Sequence, residues 1–189
     1  MVSEKKRRLL LHACCAPCTT LAAEELAKDY KLSVFFYNPN IFPSEEYDKR
    51  FGELRKFSKK MKFSVFEGSY NSYDWLDFIK GHEGDKEGGE RCRLCFLFRL
   101  EMAAKFARDE GFGFFSTTLN VNPFKNANNI RTIGDKVGKK FGVKFVFKDF
   151  NAWTGYRRSL ELSKKYDLYR QNYCGCVFSL NNKNHTNSL

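Results

Sequence analysis

Short apolar runs alternating with amphipathic segments predict an α/β fold: a three-layer sandwich around a mainly parallel sheet of about five strands. Three observations carry that expectation. Five runs rich in Leu, Val or Phe have the length of buried strands. Most of them are followed by apolar residues at helical spacing, so the elements alternate. The chain has 189 residues, the size of one domain, and carries no internal repeat. A single catalytic domain is expected over residues 1–180, with a polar, flexible tail over residues 181–189.

The first strand is expected at residues 9–13, where Leu9, Leu10 and Leu11 lead into His12 and a cysteine group. Pro17 suits the first turn of the next helix, where its missing N–H is not needed. Leu21, Ala22 and Leu26 continue that helix to Lys28. Residues 32–37 form the second strand, broken by Asn38-Pro39-Asn40. Ser44 is placed as the N-cap of a helix carrying Tyr47, Phe51, Leu54 and Met61 on one face. Residues 63–66 form the third strand, and residues 74–80 a short helix ending at Gly81. The glycine-rich, charged segment 81–89 reads as a mobile loop. Cys92 and Cys95 open a long helix that ends near Gly111. The fourth strand is at residues 114–118, and Ile130, Ile133, Val137 and Phe141 mark a helix closed by Gly142. The fifth strand is at residues 143–147, and a last amphipathic helix covers residues 155–166.

No segment approaches the roughly 20 apolar residues needed to cross a bilayer. The basic start and short Leu run lack the length of a signal peptide, so a cytoplasmic location is expected. The formal net charge is +11, which favours a polyanionic partner, a nucleic acid first of all. The basic tetrad Lys5, Lys6, Arg7 and Arg8 is read as a solvated terminus rather than a phosphate site. The Rossmann glycine fingerprint, the Walker A pattern and the G-x-S-x-G elbow are absent, so nucleotide hydrolysis is not supported.

Seven cysteines fall in three groups: Cys14, Cys15 and Cys18; Cys92 and Cys95; Cys174 and Cys176. Cysteines that merely fill a core have no reason to cluster in this way. Two groups sit at helix starts, where the dipole favours thiolates. In the third, Gly175 lets the backbone fold tightly between two sulfurs. A zinc ribbon pairs two C-x-x-C units within a short stretch, whereas these groups must converge across the whole fold. A [4Fe–4S] cluster takes four cysteines, so seven leave a surplus for a second metal or for redox thiols. The competing readings are a zinc-stabilised RNA-binding module without catalysis and a dithiol oxidoreductase. His12 and Tyr173 lie beside cysteines and are candidate proton donors. Asp149 follows the fifth strand, from which a carboxylate could reach the same crevice. His82 and His185 are assigned no role.

The segments His12-Ala-Cys14-Cys15-Ala-Pro17-Cys18, Tyr37-Asn38-Pro39-Asn40-Ile41, Arg91-Cys92-Arg93-Leu94-Cys95 and Tyr169 through Ser179, which includes Tyr173-Cys174-Gly175-Cys176, together resemble the QueH family of cobalamin-independent epoxyqueuosine reductases. The resemblance spans Leu9 to Ser179 without departure at a matched cysteine. It implies a Rossmann-like fold of the nucleotide α-hydrolase type, with cysteines where ATP-activating relatives carry a serine–glycine loop. It implies an iron–sulfur enzyme that reduces epoxyqueuosine to queuosine at the wobble position of tRNA. The reaction needs electrons from a donor, and the surplus of cysteines suits a [4Fe–4S] cluster with an additional iron beside it. Cys14, Cys15, Cys92, Cys95, Cys174 and Cys176 are the expected cluster set. Cys18 and Asp149 complete the metal ligands, Asp149-Phe150 matching a family segment before the last helix.

Overall fold

The computed structural model describes residues 6–186. Five strands form one parallel sheet: β1 (Arg7–His12), β2 (Tyr30–Phe36), β3 (Ser64–Glu67), β4 (Phe114–Thr117) and β5 (Lys144–Phe145). Their order is β3-β2-β1-β4-β5. All pairs are parallel, with Leu11 opposite Val34 on one side and Ser116 on the other. Helices α1 (Ala16–Leu26), α2 (Ser44–Met61), α3 (Ser72–Phe78), α4 (Glu90–Asp109), α5 (Ala127–Phe141), α6 (Ala152–Lys165) and α7 (Val177–Thr186) complete the order, with a 3₁₀ turn at Leu119–Val121.

The period-two geometry of a strand sends alternate residues to opposite faces. Leu9, Leu11, Val34 and Phe36 therefore pack on α1, α2 and α6, through Leu21, Leu54, Phe57 and Leu162. Leu10, Phe35 and Phe115 face the other way, onto Leu100 of α4 and Ile133 and Val137 of α5. Helices cover both faces, so β1 is apolar along its whole inner length: Leu9, Leu10 and Leu11 are each 0% exposed. The chain reverses its winding at β1, between β2 and β4. The crevice beyond their C-terminal ends is where an open α/β sheet places its ligands.

Several local expectations are corrected. Pro43, not Ser44, is the N-cap of α2, and the Ser44 hydroxyl turns to Glu45 instead. Glu45 and Glu46 in the first turn and Lys59 and Lys60 in the last still match the helix dipole. β5 is only two residues long, because it is an edge strand with β4 as its one partner. Residues 181–186, expected to fray, continue α7, while residues 187–189 lie outside the described residues, as does Lys5. The loop over residues 81–89 is tied down rather than loose. The buried Arg91 donates to the carbonyls of His82 and Glu83, and Asp85 accepts the Arg91 N–H at 2.9 Å. Arg7 and Arg8 lie in β1 at the sheet end remote from the cysteines, stacked over Tyr30, Phe114 and Phe112. Among the described residues no helix is long and apolar enough to cross a membrane.

Candidate metal centre

Each cysteine group sits at a helix start. Cys15 is the N-cap of α1, with extended backbone, and Cys18 is the third residue of the helix. A side chain at the N-cap meets the one three positions on, as in a capping box. Cys14, at the mouth of β1, is fixed by its own N–H, which donates to the Thr118 hydroxyl at 3.2 Å. The three sulfurs consequently lie within 4.8 Å of one another, and those of Cys14 and Cys15 are 3.8 Å apart. All seven cysteines are free thiols.

The second and third groups meet on the far side of the crevice. Gly89 caps α4, placing Cys92 in its first turn, where its sulfur accepts the Gly88 N–H at 3.2 Å. Cys95 follows one turn later on the same face. Cys176 directly precedes α7, with the Ser179 hydroxyl 3.6 Å from its sulfur. Cys95 and Cys176 share a small apolar cluster with Trp75 and Ile79. The irregular segment leading into Cys174 is held by the buried Arg50, which donates to the carbonyls of Tyr173 at 3.3 Å and Cys174 at 3.1 Å. Gly175 has φ +130, and a Cβ there would lie 3.0 Å from the Arg50 guanidinium. Only glycine combines that backbone with that approach.

Electrostatics differ between the groups. Hydrogen bonds from Cys15 and Cys18 hold the Cys14 thiol well below its usual range, against its burial, and Lys125 and Arg99 add to the effect. Cys15 is pushed up to about 11, chiefly by Cys14. Burial raises Cys92 and Cys176, and raises Cys95 to about 11; the Cys174 and Cys176 sulfurs also act on Cys92 and Cys95. Cys14 is thus the member of the triad whose thiolate form is favoured, and the other two pairs adjoin each other.

A cavity of about 680 Å³ opens over this centre, lined by Cys14, Cys18 and Cys174 together with Lys125, Arg170 and Tyr173, among others. Gln171 also lines it, donating through Nε2 to the Cys15 sulfur at 3.1 Å while its buried Oε1 has no partner. Burial disfavours the Lys125 ammonium, but the Cys174, Cys14 and Cys18 sulfurs outweigh it and hold its pKa above the ordinary lysine value. Lys125 and Gln171 were missed at the sequence level. Lys125 belongs to no motif, and Gln171, although inside the segment over residues 169–179, has no role assigned to it there; only the fold brings them to the cavity.

Two of the expected proton donors are otherwise engaged. His12 is fully buried: its Nε2–H donates to the Tyr37 carbonyl at 3.1 Å, and Nδ1 accepts from the Thr117 hydroxyl at 2.9 Å. Burial and the nearby Arg99 push its pKa down to about 3, so it is a neutral brace at the end of β1. The Tyr173 hydroxyl lines the cavity but donates to the Phe42 carbonyl at 2.5 Å, and burial pushes it up to about 12. Asp149 is exposed and outside the cavity lining; one carboxylate oxygen accepts the Asn151 N–H at 2.8 Å, at the entry to α6. The His185 side chain lies outside the described residues.

Asn38, from the segment after β2, couples the halves of the site. Its amide donates to the Ala13 carbonyl at 2.9 Å, and its oxygen accepts from the buried Arg99 of α4, which also approaches the Cys95 sulfur at 4.0 Å.

The donor set suits a thiophilic metal: free thiols, one of them favoured as thiolate, at helix starts beside a cavity. A family model described as "Epoxyqueuosine reductase QueH" matches residues 9–182. Relatives of that name include a Thermotoga maritima protein, 42% identical over 177 residues, covering 91% of this chain and 90% of that one. A Haemophilus influenzae protein is 39% identical over 181 residues, covering 94% of this chain and 73% of its own. One from Streptococcus pyogenes serotype M1 is 37% identical over 177 residues, covering 90% and 69%. Among solved structures, the U34-tRNA thiolase NcsA from Methanococcus maripaludis with its [4Fe–4S] cluster aligns over 100% of this chain and 68% of that one. Its TM-score is 0.59 at 14% identity. A predicted tRNA methyltransferase subunit from Methanocaldococcus jannaschii has a TM-score of 0.57 at 12% identity, covering 82% of this chain and 75% of that one. At those identities the two structures show the shared Rossmann-like fold alone. On the strength of the family match and of relatives alike over most of both chains, this chain belongs to the epoxyqueuosine reductase QueH family.

Proposed function

We propose that this chain reduces epoxyqueuosine to queuosine at the wobble position of tRNA, with an iron–sulfur centre held by its cysteines. The observation that carries the reading is the Cys14, Cys15 and Cys18 triad of free thiols, with Cys14, Cys18 and Cys174 lining one cavity, in a chain that belongs to the QueH family. Cys92, Cys95, Cys174 and Cys176 would hold the [4Fe–4S] cluster, four being the number it takes. Cys14 and Cys15, expected in the cluster set, would instead join Cys18 in holding an additional iron, the three sulfurs lying within 4.8 Å of one another. When bound, these groups supply low-potential single electrons and Lewis acidity.

The reaction consumes two electrons and two protons: both carbon–oxygen bonds of the epoxide break, a carbon–carbon double bond forms, and the oxygen leaves as water. Lys125 is the residue of this chain that would hold and protonate that oxygen. Lys125 lines the cavity with Cys14, Cys18 and Cys174, and those sulfurs hold its pKa above the ordinary lysine value. Gln171, its Oε1 free, would accept a hydrogen bond from the base. Arg170, which donates to Ser163 at 2.8 Å, presents a fixed cation for a phosphate. Tyr173, with its proton committed to Phe42, walls the cavity. The wobble base is in a single-stranded loop, from which it can be splayed into such a pocket.

The test is anaerobic reconstitution with iron and sulfide, reduction by a strong chemical reductant, and nucleoside analysis of tRNA carrying epoxyqueuosine. Queuosine should appear without cobalamin, and the protein should carry acid-labile sulfide. Zinc alone, with no sulfide, would identify an RNA-binding module instead. Turnover by a metal-free dithiol form would identify a thiol oxidoreductase.

A further inference from the structure

Two large aromatic side chains stand in solvent at the rim of the cavity. Phe124 is 72% exposed and Trp153 is 61% exposed. They come from different segments, the turn before α5 and the first turn of α6, yet their rings meet edge to face, 5.6 Å apart at 88°. Phe124 itself lines the cavity. Tyr156 lines it too, and Trp153 lies three residues earlier on α6, so it occupies the same helix face one turn outward. Lys125 follows Phe124 in the chain and Arg170 lines the same cavity, so cations border the rings.

Rings this exposed contribute little to the core, and leaving them in water costs solubility. Perpendicular planes make a corner in which a flat group can stack on one ring and abut the other. Aromatic faces bordered by cations are the chemistry of single-stranded nucleic-acid binding, in which bases stack and phosphates meet Lys or Arg. The net charge of +11 favours a polyanion over an apolar protein partner.

We propose that Phe124 and Trp153 form a stacking platform for an unpaired base flanking the nucleotide that enters the cavity. The proposal rests on the reading of the substrate as tRNA. It assigns the pair a positioning role: the flanking base is held outside so that its neighbour is presented to Lys125 and the cysteines.

The chain has two tryptophans, and the other, Trp75, is 2% exposed. Emission changes on adding RNA therefore report Trp153. Titrating the iron–sulfur-loaded protein with a synthetic anticodon stem-loop RNA should quench that emission, and Trp153→Phe should abolish the quenching. Phe124→Ala and Trp153→Ala should raise the KM for tRNA by roughly 10- to 100-fold, with the loss falling on KM rather than kcat. Trp153→Phe keeps a ring and should restore most of it. Against an RNA with an abasic residue beside the reacting nucleotide, Trp153→Ala should cost nothing further. An unchanged KM in both alanine variants, or losses from the abasic RNA and from Trp153→Ala that multiply, would overturn the proposal. Emission that follows protein concentration instead of RNA would overturn it by assigning the patch to a second copy. Quenching by an RNA whose epoxide is never reduced would uphold the platform and reject the reductase reading.

Discussion

At the end of β1, His12 sits two residues before Cys14, a position that invites a catalytic assignment, yet both ring nitrogens are spent on Tyr37 and Thr117. Replacing it by Ala strands two buried partners and opens a void, so His12→Ala should destabilise the protein by about 2–4 kcal/mol. Chemical denaturation checks this, and a stability within error of the parent would return His12 to the list of proton donors. Asp149 poses the converse case. It is exposed, and its carboxylate accepts the N–H of Asn151, the N-cap of α6, a bond that an asparagine side chain can also accept. Asp149→Asn should therefore keep the full iron content and lose less than about 1 kcal/mol; iron analysis that finds a deficit would restore it as a ligand. Lys125 is the residue on which turnover should depend. Lys125→Met keeps the bulk and removes the charge, and kcat should fall by roughly 100-fold, the scale of a lost general acid. Single-turnover kinetics at saturating tRNA is the measurement, and full activity would place the proton source elsewhere.

Helix starts are the recurring device at the scale of elements. α1, α4 and α7 each begin at a cysteine or within one turn of one, so sulfurs far apart in sequence each meet the positive end of a helix dipole, while burial and neighbouring thiols set their acidities apart. These starts converge only if the sheet holds the helices at fixed height, and the α5–β5 contact illustrates how closely that is done. A Cβ on Gly138 would lie 2.6 Å from the Val143 carbonyl oxygen and 3.3 Å from the Phe115 ring. Gly138→Ala must push the helix off the strand, and should cost about 1–3 kcal/mol, the range for overpacking. A lowered Tm with unchanged iron content is the expected result, because Gly138 is in the last turn of α5, against Val143 and Phe115 rather than a cysteine. A Tm at or above that of the parent would mean the helix shifts freely.

The whole molecule combines a net charge of +11 with a cavity whose rim carries Lys125 and Arg170. Phosphates displaced onto those cations release counterions, so affinity should fall as a power of salt concentration. If about four phosphates of a single strand are contacted, a fourfold rise in salt should weaken tRNA binding roughly 50-fold. Filter binding across a salt series tests this, and a flat response would show that the positive charge serves solubility alone.

The alternation of strands and helices was legible along the chain because burial on both faces of a sheet leaves short continuous apolar runs such as Leu9-Leu10-Leu11. The cysteine groups were legible for a related reason: thiols cluster in sequence when a metal needs them. The sequence by itself established the α/β class, the helix starts that carry Cys18 and Cys92, and the family. Only the tertiary structure decided which chemistry-bearing residues face the cavity. Lys125 and Gln171 turn in, while Asp149 turns out. His12 is sealed beneath the site by Tyr37 and Thr117. These outcomes depend on strand order and helix height, which join residues over a hundred positions apart, as in the His12–Thr117 contact. Local propensity contains no term for such a meeting; packing supplies it.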